Sequence, residues 1–132
     1  MFARLKQLFH RAPGPDLLGW RGETLAAKYL RAKGYRILLR NYDPGGSEID
    51  IVALDGDTLV FVEVKTRESE DIARPEDQVN LHKQRQITKA AGRYIAHYKT
   101  PPRTRFDVVA IVWPAAGEPV IRHYTAAFTA AF

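Results

Sequence analysis

Three side chains on two neighbouring segments carry the strongest chemical signal in this sequence: Asp50, then Glu63 and Lys65 separated by one residue. Hard oxygen ligands of this kind hold Mg²⁺, which keeps several waters and takes one or two protein carboxylates together with a substrate phosphate. The metal lowers the pKa of a bound water and neutralises charge on the phosphate, while a nearby lysine orients the attacking water or stabilises the transition state. Asp50 and Glu63 are therefore expected as metal ligands, the carbonyl of Val64 between the two charged side chains as a further ligand, and Lys65 as the group that serves the water. The competing reading is an ordinary ion pair, since Glu-x-Lys is common on exposed strands and such pairs contribute little. Against it stand Val60, Phe61, Val62 and Val64, which predict a buried strand where an idle charged cluster would be costly.

Glu23 adds a carboxylate from a separate element. It lies at the edge of an apolar helical stripe that includes Leu18, Ala26, Tyr29 and Leu30, so it either points at the sheet or is a solvated flank residue beside Arg21 and Lys28.

The elements that must position these groups are readable from periodicity and punctuation. A helix is expected from Asp16, as N-cap, to about Lys33, stopped by Gly34. A strand over residues 35–40 ends at the turn-rich 41–46, and strands over 48–54 and 59–65 flank Asp55-Gly56, a strong hairpin signal. A two-residue Asp55-Gly56 loop would place Asp50 opposite Phe61 and Glu48 opposite Glu63, making Asp50 and Glu63 diagonal neighbours on one face. Residues 66–80 read as a charged loop, 79–98 as a helix whose Ile87, Ala91, Tyr94, Ile95 and Tyr98 face the sheet, and 106–113 and 120–124 as two further strands. This order implies an α/β fold of three layers with a central mixed sheet flanked by helices. Pro13 and Pro15 set off a basic arm, residues 1–15, from a domain over 16–125, and an apolar tail follows at 126–132.

Composition narrows the function classes. With no cysteine there is no disulfide framework, thiol nucleophile or cysteine-ligated zinc site. No apolar run is long enough to cross a membrane and the broken apolar opening does not make a signal peptide, which sets the expectation of a cytoplasmic protein. A net charge of +5 favours a polyanionic partner. Arg85, Lys89 and Arg93, at i, i+4, i+8, form a stripe that could clamp a nucleic-acid backbone, with Lys83 nearer the apolar side and Arg67, Arg103 and Arg105 near strand ends extending the patch. Each of these has solvated surface as its plainer reading. His10, His82, His97 and His123 lack metal-ligand spacing and are expected to be structural or exposed.

Five motifs occur in order: Gly19-x-x-Gly22-Glu23-x-x-Ala26-Ala27-x-Tyr29-Leu30; Gly34-Tyr35-x-Ile37-Leu38-x-Arg40-Asn41; Glu48-Ile49-Asp50; Leu59-Val60-Phe61-Val62-Glu63-Val64-Lys65-Thr66-Arg67; and Arg105-Phe106-Asp107-Val108-Val109. Together they resemble the YraN family of uncharacterised bacterial proteins, over residues 17–113, with Ser47 standing where the family usually has glycine. That family is similar to archaeal Holliday-junction resolvases and to the restriction-endonuclease-like superfamily. The resemblance implies a catalytic set of Glu23, Asp50, Glu63 and Lys65, an Mg²⁺-dependent (or Mn²⁺-dependent) endonuclease acting on DNA, branched or recombination intermediates among its substrates, and a homodimer as one assembly. The alternative is a nucleic-acid-binding module of the same fold that performs no chemistry.

Overall fold

A computed structural model of the chain describes residues 17–69 and 79–131. The predicted basic arm, the centre of the charged loop and Phe132 lie outside the described residues. The elements run α1 (Leu17–Ala32), β1 (Arg36–Tyr42), β2 (Ile49–Asp55), β3 (Thr58–Arg67), α2 (Leu81–Ile95), β4 (Arg103–Val112) and β5 (Val120–Phe128). The strands form one sheet in the order β1-β2-β3-β4-β5. All neighbours are antiparallel except β3 and β4, which run parallel because α2 carries the chain across between them. The expected three-layer α/β arrangement with a mixed sheet is what the chain forms.

Each helix covers one face. Ala26, Ala27 and Leu30 of α1 pack on Ile51, Ala53, Val60, Val62, Val109 and Ile111. Ile87, Ala90 and Ala91 of α2 pack on Val52, Leu59, Phe61, Phe106 and Val108, with Tyr94, Ile95 and Tyr98 joining that layer as their spacing predicts. Residues 59–62 of β3 are buried on both faces, which is why this strand reads as an apolar run and not as an alternation.

Gly34 ends α1 with φ 97°, and the N–H groups of Gly34 and Tyr35 donate back to the carbonyls of Arg31 and Leu30. This is the paired 5→2 and 6→1 closure of a Schellman motif, and Tyr35 and Leu30 share a core cluster as that motif favours. At the other helix, Asn80 caps α2 by accepting from the N–H of Lys83 at 2.9 Å.

The β2–β3 hairpin departs from expectation in a way that matters. Its ladder pairs Asp55 with Thr58, so the two-residue loop is Gly56-Asp57 and not Asp55-Gly56. Gly56 takes the first loop position with φ 59°, the place where a II′ turn wants glycine. The register is displaced by two residues, which preserves face parity along the paired residues, Ile51↔Val62 to Asp55↔Thr58, and leaves Asp50 just past the last pair, beside Glu63 and Val64.

Candidate carboxylate centre and its surroundings

The β2–β3 ladder runs from Asp55↔Thr58 to Ile51↔Val62 and stops, while β3 continues along β4 as far as Arg67↔Val112. From Glu63 onward, the β2-side edge of β3 is therefore open. The alternation of β2 also breaks here: Ile49, which a regular strand would turn toward α1, packs with Val52 on the α2 side. Asp50 fills the opened edge, its Oδ2 accepting the N–H of Val64 at 2.7 Å, so that a side chain satisfies a backbone donor the ladder has left. In an extended strand the N–H and C=O of one residue leave on the same side, so the Val64 carbonyl faces the same gap.

Through this gap the two faces of the sheet communicate. Glu63 and Lys65 lie on the α2 side of β3 by alternation, Val64 and Thr66 on the α1 side. A cleft of about 270 Å³ gathers Leu18, Gly19 and Glu23 of α1, Glu48 and Asp50 of the β2 segment, and residues 63–67 of β3. Glu23 is placed there by Gly22, because a Cβ at that position would collide with Thr66 Oγ1, so only glycine lets α1 approach β3 this closely.

Glu23, Glu48 and Asp50 each offer a carboxylate oxygen within 4.8 Å of the others. Glu63 is 4% exposed, and its Oε1 is buried with no donor hydrogen-bonded to it. Burial pushes the Asp50 carboxyl well above the usual range, and the charges of Glu63 and Glu23 and the hydrogen bond shared with Glu63 push it further, against the Val64 N–H. Lys65 Nζ stands 3.4 Å from Glu63 Oε2, and Lys83 Nζ, from the first turn of α2, stands 3.7 Å from the same oxygen.

Four expected site residues, Glu23, Asp50, Glu63 and Lys65, thus line one cleft, with Val64 and Arg67 beside them. Arg67 donates to the Thr66 carbonyl at 3.0 Å. Arg85 and Lys89 are exposed on α2 and border a shallow hollow with Thr88, Gly92 and Ala131. Arg93 is exposed too, but its guanidinium donates to the Pro44 carbonyl at 3.0 Å and lies against Gly45, so it holds the β1–β2 loop that leads into Glu48.

Two features lay beyond the sequence reading. Glu48 belongs to the carboxylate cluster, and its spacing of two residues from Asp50 was the available signal. Arg105, expected to extend a basic patch, is instead consumed inside the fold. It donates to both Asp107 oxygens at 2.8 and 3.0 Å, to Asp55 Oδ2 at 3.0 Å and to the Tyr35 hydroxyl at 2.7 Å. Asp107 is fully buried; burial alone would push its carboxyl up, but bonds from His123, Arg105 and the Ala126 N–H outweigh that and hold it below the ordinary carboxylate value. The Lys33 ammonium stands 2.7 Å from His123 Nδ1, which must then accept, leaving Nε2–H to donate to Asp107 at 2.8 Å. Among the described histidines, His123 is buried in a structural role, its side chain 1% exposed.

Comparison with known proteins agrees with the five motifs. The chain is 50% identical over 111 residues to a UPF0102 protein of Chlorobaculum parvum, spanning 83% of this chain and 86% of the relative. A UPF0102 protein of Geobacter sulfurreducens is 48% identical over 117 residues, 88% of this chain and 91% of its own. One from an Arthrobacter species is 46% identical over 109 residues, 82% and 92% respectively. The profile of the uncharacterised family UPF0102 matches residues 22–111, a span holding all four carboxylates and the two lysines beside Glu63, and the chain belongs to that family, the YraN family of the motif resemblance.

Proposed function

We propose that this protein is a cytoplasmic Mg²⁺-dependent endonuclease that hydrolyses phosphodiester bonds of DNA, with branched intermediates as its preferred class. One observation supports the reading most: carboxylates from α1, β2 and β3 converge with Lys65 at the edge of β3 that β2 leaves open. The residues present fit a divalent cation. Four carboxylates line the cleft against Lys65 and Arg67, burial and then the charges of Glu63 and Glu23 raise the pKa of Asp50, and a hard cation would favour its ionised form. Asp50 and Glu63 would hold the ion, with the Val64 carbonyl turned to the same gap and Glu23 and Glu48 within reach of its waters. Bound there, the metal supplies Lewis acidity and a water of lowered pKa.

The chain's own groups do the rest. Lys65, tethered to Glu63, presents an ammonium to the attacking water or the phosphate oxygen on which charge develops. Glu23 reaches the cleft from a different helix and can accept a proton from that water. The resemblance to Holliday-junction resolvases points to branched DNA, and the net charge of +5 suits a phosphate backbone.

Incubation with duplex, single-stranded, flap and four-way DNA in Mg²⁺ or Mn²⁺ should give cleavage that Glu63→Ala abolishes and Lys65→Ala slows on the order of a hundredfold, with folding retained. Inertness of the wild type across every substrate and both metals would sink the proposal. The exposed Arg85 and Lys89 favour a second reading, a nucleic-acid-binding module without chemistry. That reading predicts salt-sensitive binding indifferent to Glu63→Ala.

A further inference from the structure

Lys83 makes a contact that a backbone clamp would not need. Its Nζ is 3.7 Å from Glu63 Oε2, the same oxygen that Lys65 approaches to 3.4 Å, and Glu63 is 4% exposed while the Lys83 side chain is 31% exposed. A carboxylate so buried requires a counter-charge. Lys65 sits two residues along the same strand and moves with Glu63, whereas Lys83 comes from another element. Its backbone is fixed as well, because its N–H is the group that the N-cap Asn80 accepts. Both ammoniums address Oε2, and Oε1 remains buried without a donor.

We propose that Lys83 is a positioning residue of the carboxylate centre: a counter-ion for Glu63, held by the first turn of α2, that competes with a divalent cation and so sets how tightly the centre binds one. The inference rests on the metal-dependent reading of the site and deepens it. A positive charge fixed a few ångströms from a ligand oxygen opposes the arrival of two more charges. Because the Lys83 side chain is partly in solvent, that opposition is moderated by water and tunes the affinity without abolishing it. Lys83 also ties the centre to the helix bearing the exposed Arg85 and Lys89, so α2 and the carboxylates are not independent surfaces.

Calorimetric titration of the full chain with Mn²⁺ alone, without DNA, tests this. Lys83→Met is expected to bind Mn²⁺ about threefold to tenfold more tightly than wild type. Lys83→Arg, which keeps the charge, should stay within about twofold of wild type, as should Lys89→Met, whose lysine does not face Glu63. Thermal melts in EDTA confirm that each variant folds. Unchanged or weaker Mn²⁺ binding in Lys83→Met, with the wild type binding normally, overturns the assignment and leaves the metal centre standing. A wild type that binds no Mn²⁺ overturns both, and the two failures are thereby told apart. Equal tightening in Lys83→Met and Lys89→Met would also overturn it, because the effect would then belong to net charge and not to this contact.

Discussion

At the scale of single residues, the carboxylate centre is a place where the fold tolerates repulsion. Asp50 has its carboxyl raised by burial and by Glu63 and Glu23, so the folded state disfavours its charged form relative to the unfolded chain. The sign follows: a raised acid contributes stability that is fully present below its unfolded pKa, near 3.8, and lost as pH rises through the folded value. Asp50→Asn removes the charge but keeps an oxygen for the Val64 N–H. In EDTA at pH 7 this variant should therefore melt higher than wild type, by roughly 2–5 °C, with the difference shrinking toward pH 4. The same variant should lose metal-dependent activity, the usual exchange of stability for function at a charged site. Calorimetric melts at three pH values check it; a variant melting lower than wild type at pH 7 would show that Asp50 is net stabilising and that its neighbours do not repel it.

At the scale of elements, the approach of α1 to β3 decides where Glu23 sits. Gly22 faces Thr66 with no room for a Cβ, and Thr66 follows Lys65 on the same strand. Gly22→Ala must push the helix away or rotate Thr66, at a cost of about 1–3 kcal/mol, and must move Glu23 relative to Asp50. The expected result is a melting temperature lowered by several degrees and a fall in cleavage larger than the stability loss accounts for. Gly22→Ala with Thr66→Ala should recover part of both, because the colliding hydroxyl is gone while the Cβ of residue 66, 2.9 Å from the new methyl, still crowds it. How much of this was legible beforehand depends on range. The elements and the faces of both helices follow from local periodicity, and the face parity of the paired residues 51–55 against 58–62 survives a hairpin shifted by two residues, since side-chain direction repeats every two, whereas Asp50 reaches the cleft through the break in alternation beyond them. The shift itself was hidden because Asp55-Gly56 and Gly56-Asp57 both make acceptable two-residue loops. Nothing local could place Lys83 on Glu63, His123 on Asp107 or Arg105 on Asp55, because these need α2 laid on β3, β5 paired with β4, and β4 brought beside the β2–β3 hairpin; only the Arg105–Asp107 pair, two residues apart on one strand, was within local reach.

At the scale of the whole molecule, charge is divided between work inside the fold and work available at its surface. Arg105 is spent on Asp107, Asp55 and Tyr35, joining β4 to β2 and to the residue before β1, while Arg93 is spent on Pro44. Lys33 sits on His123 and Lys65 and Lys83 on Glu63, so these five of the 20 Lys and Arg side chains already have partners inside the fold. Arg85 and Lys89, exposed like Arg93 but not tied to the β1–β2 loop as it is, remain as the part of the α2 stripe open to a phosphate. Each cation that neutralises a backbone phosphate releases a condensed counterion, so binding constants plotted against salt on logarithmic axes have a slope that counts such contacts. Arg85→Ala and Lys89→Ala should each reduce that slope by about one and weaken binding to similar extents on duplex and four-way DNA. Arg93→Ala should leave the slope nearly unchanged and act on cleavage through the loop that carries Glu48. Equal slope changes for all three variants would return Arg93 to the clamp and show that its bond to Pro44 gives way to phosphate when DNA is present.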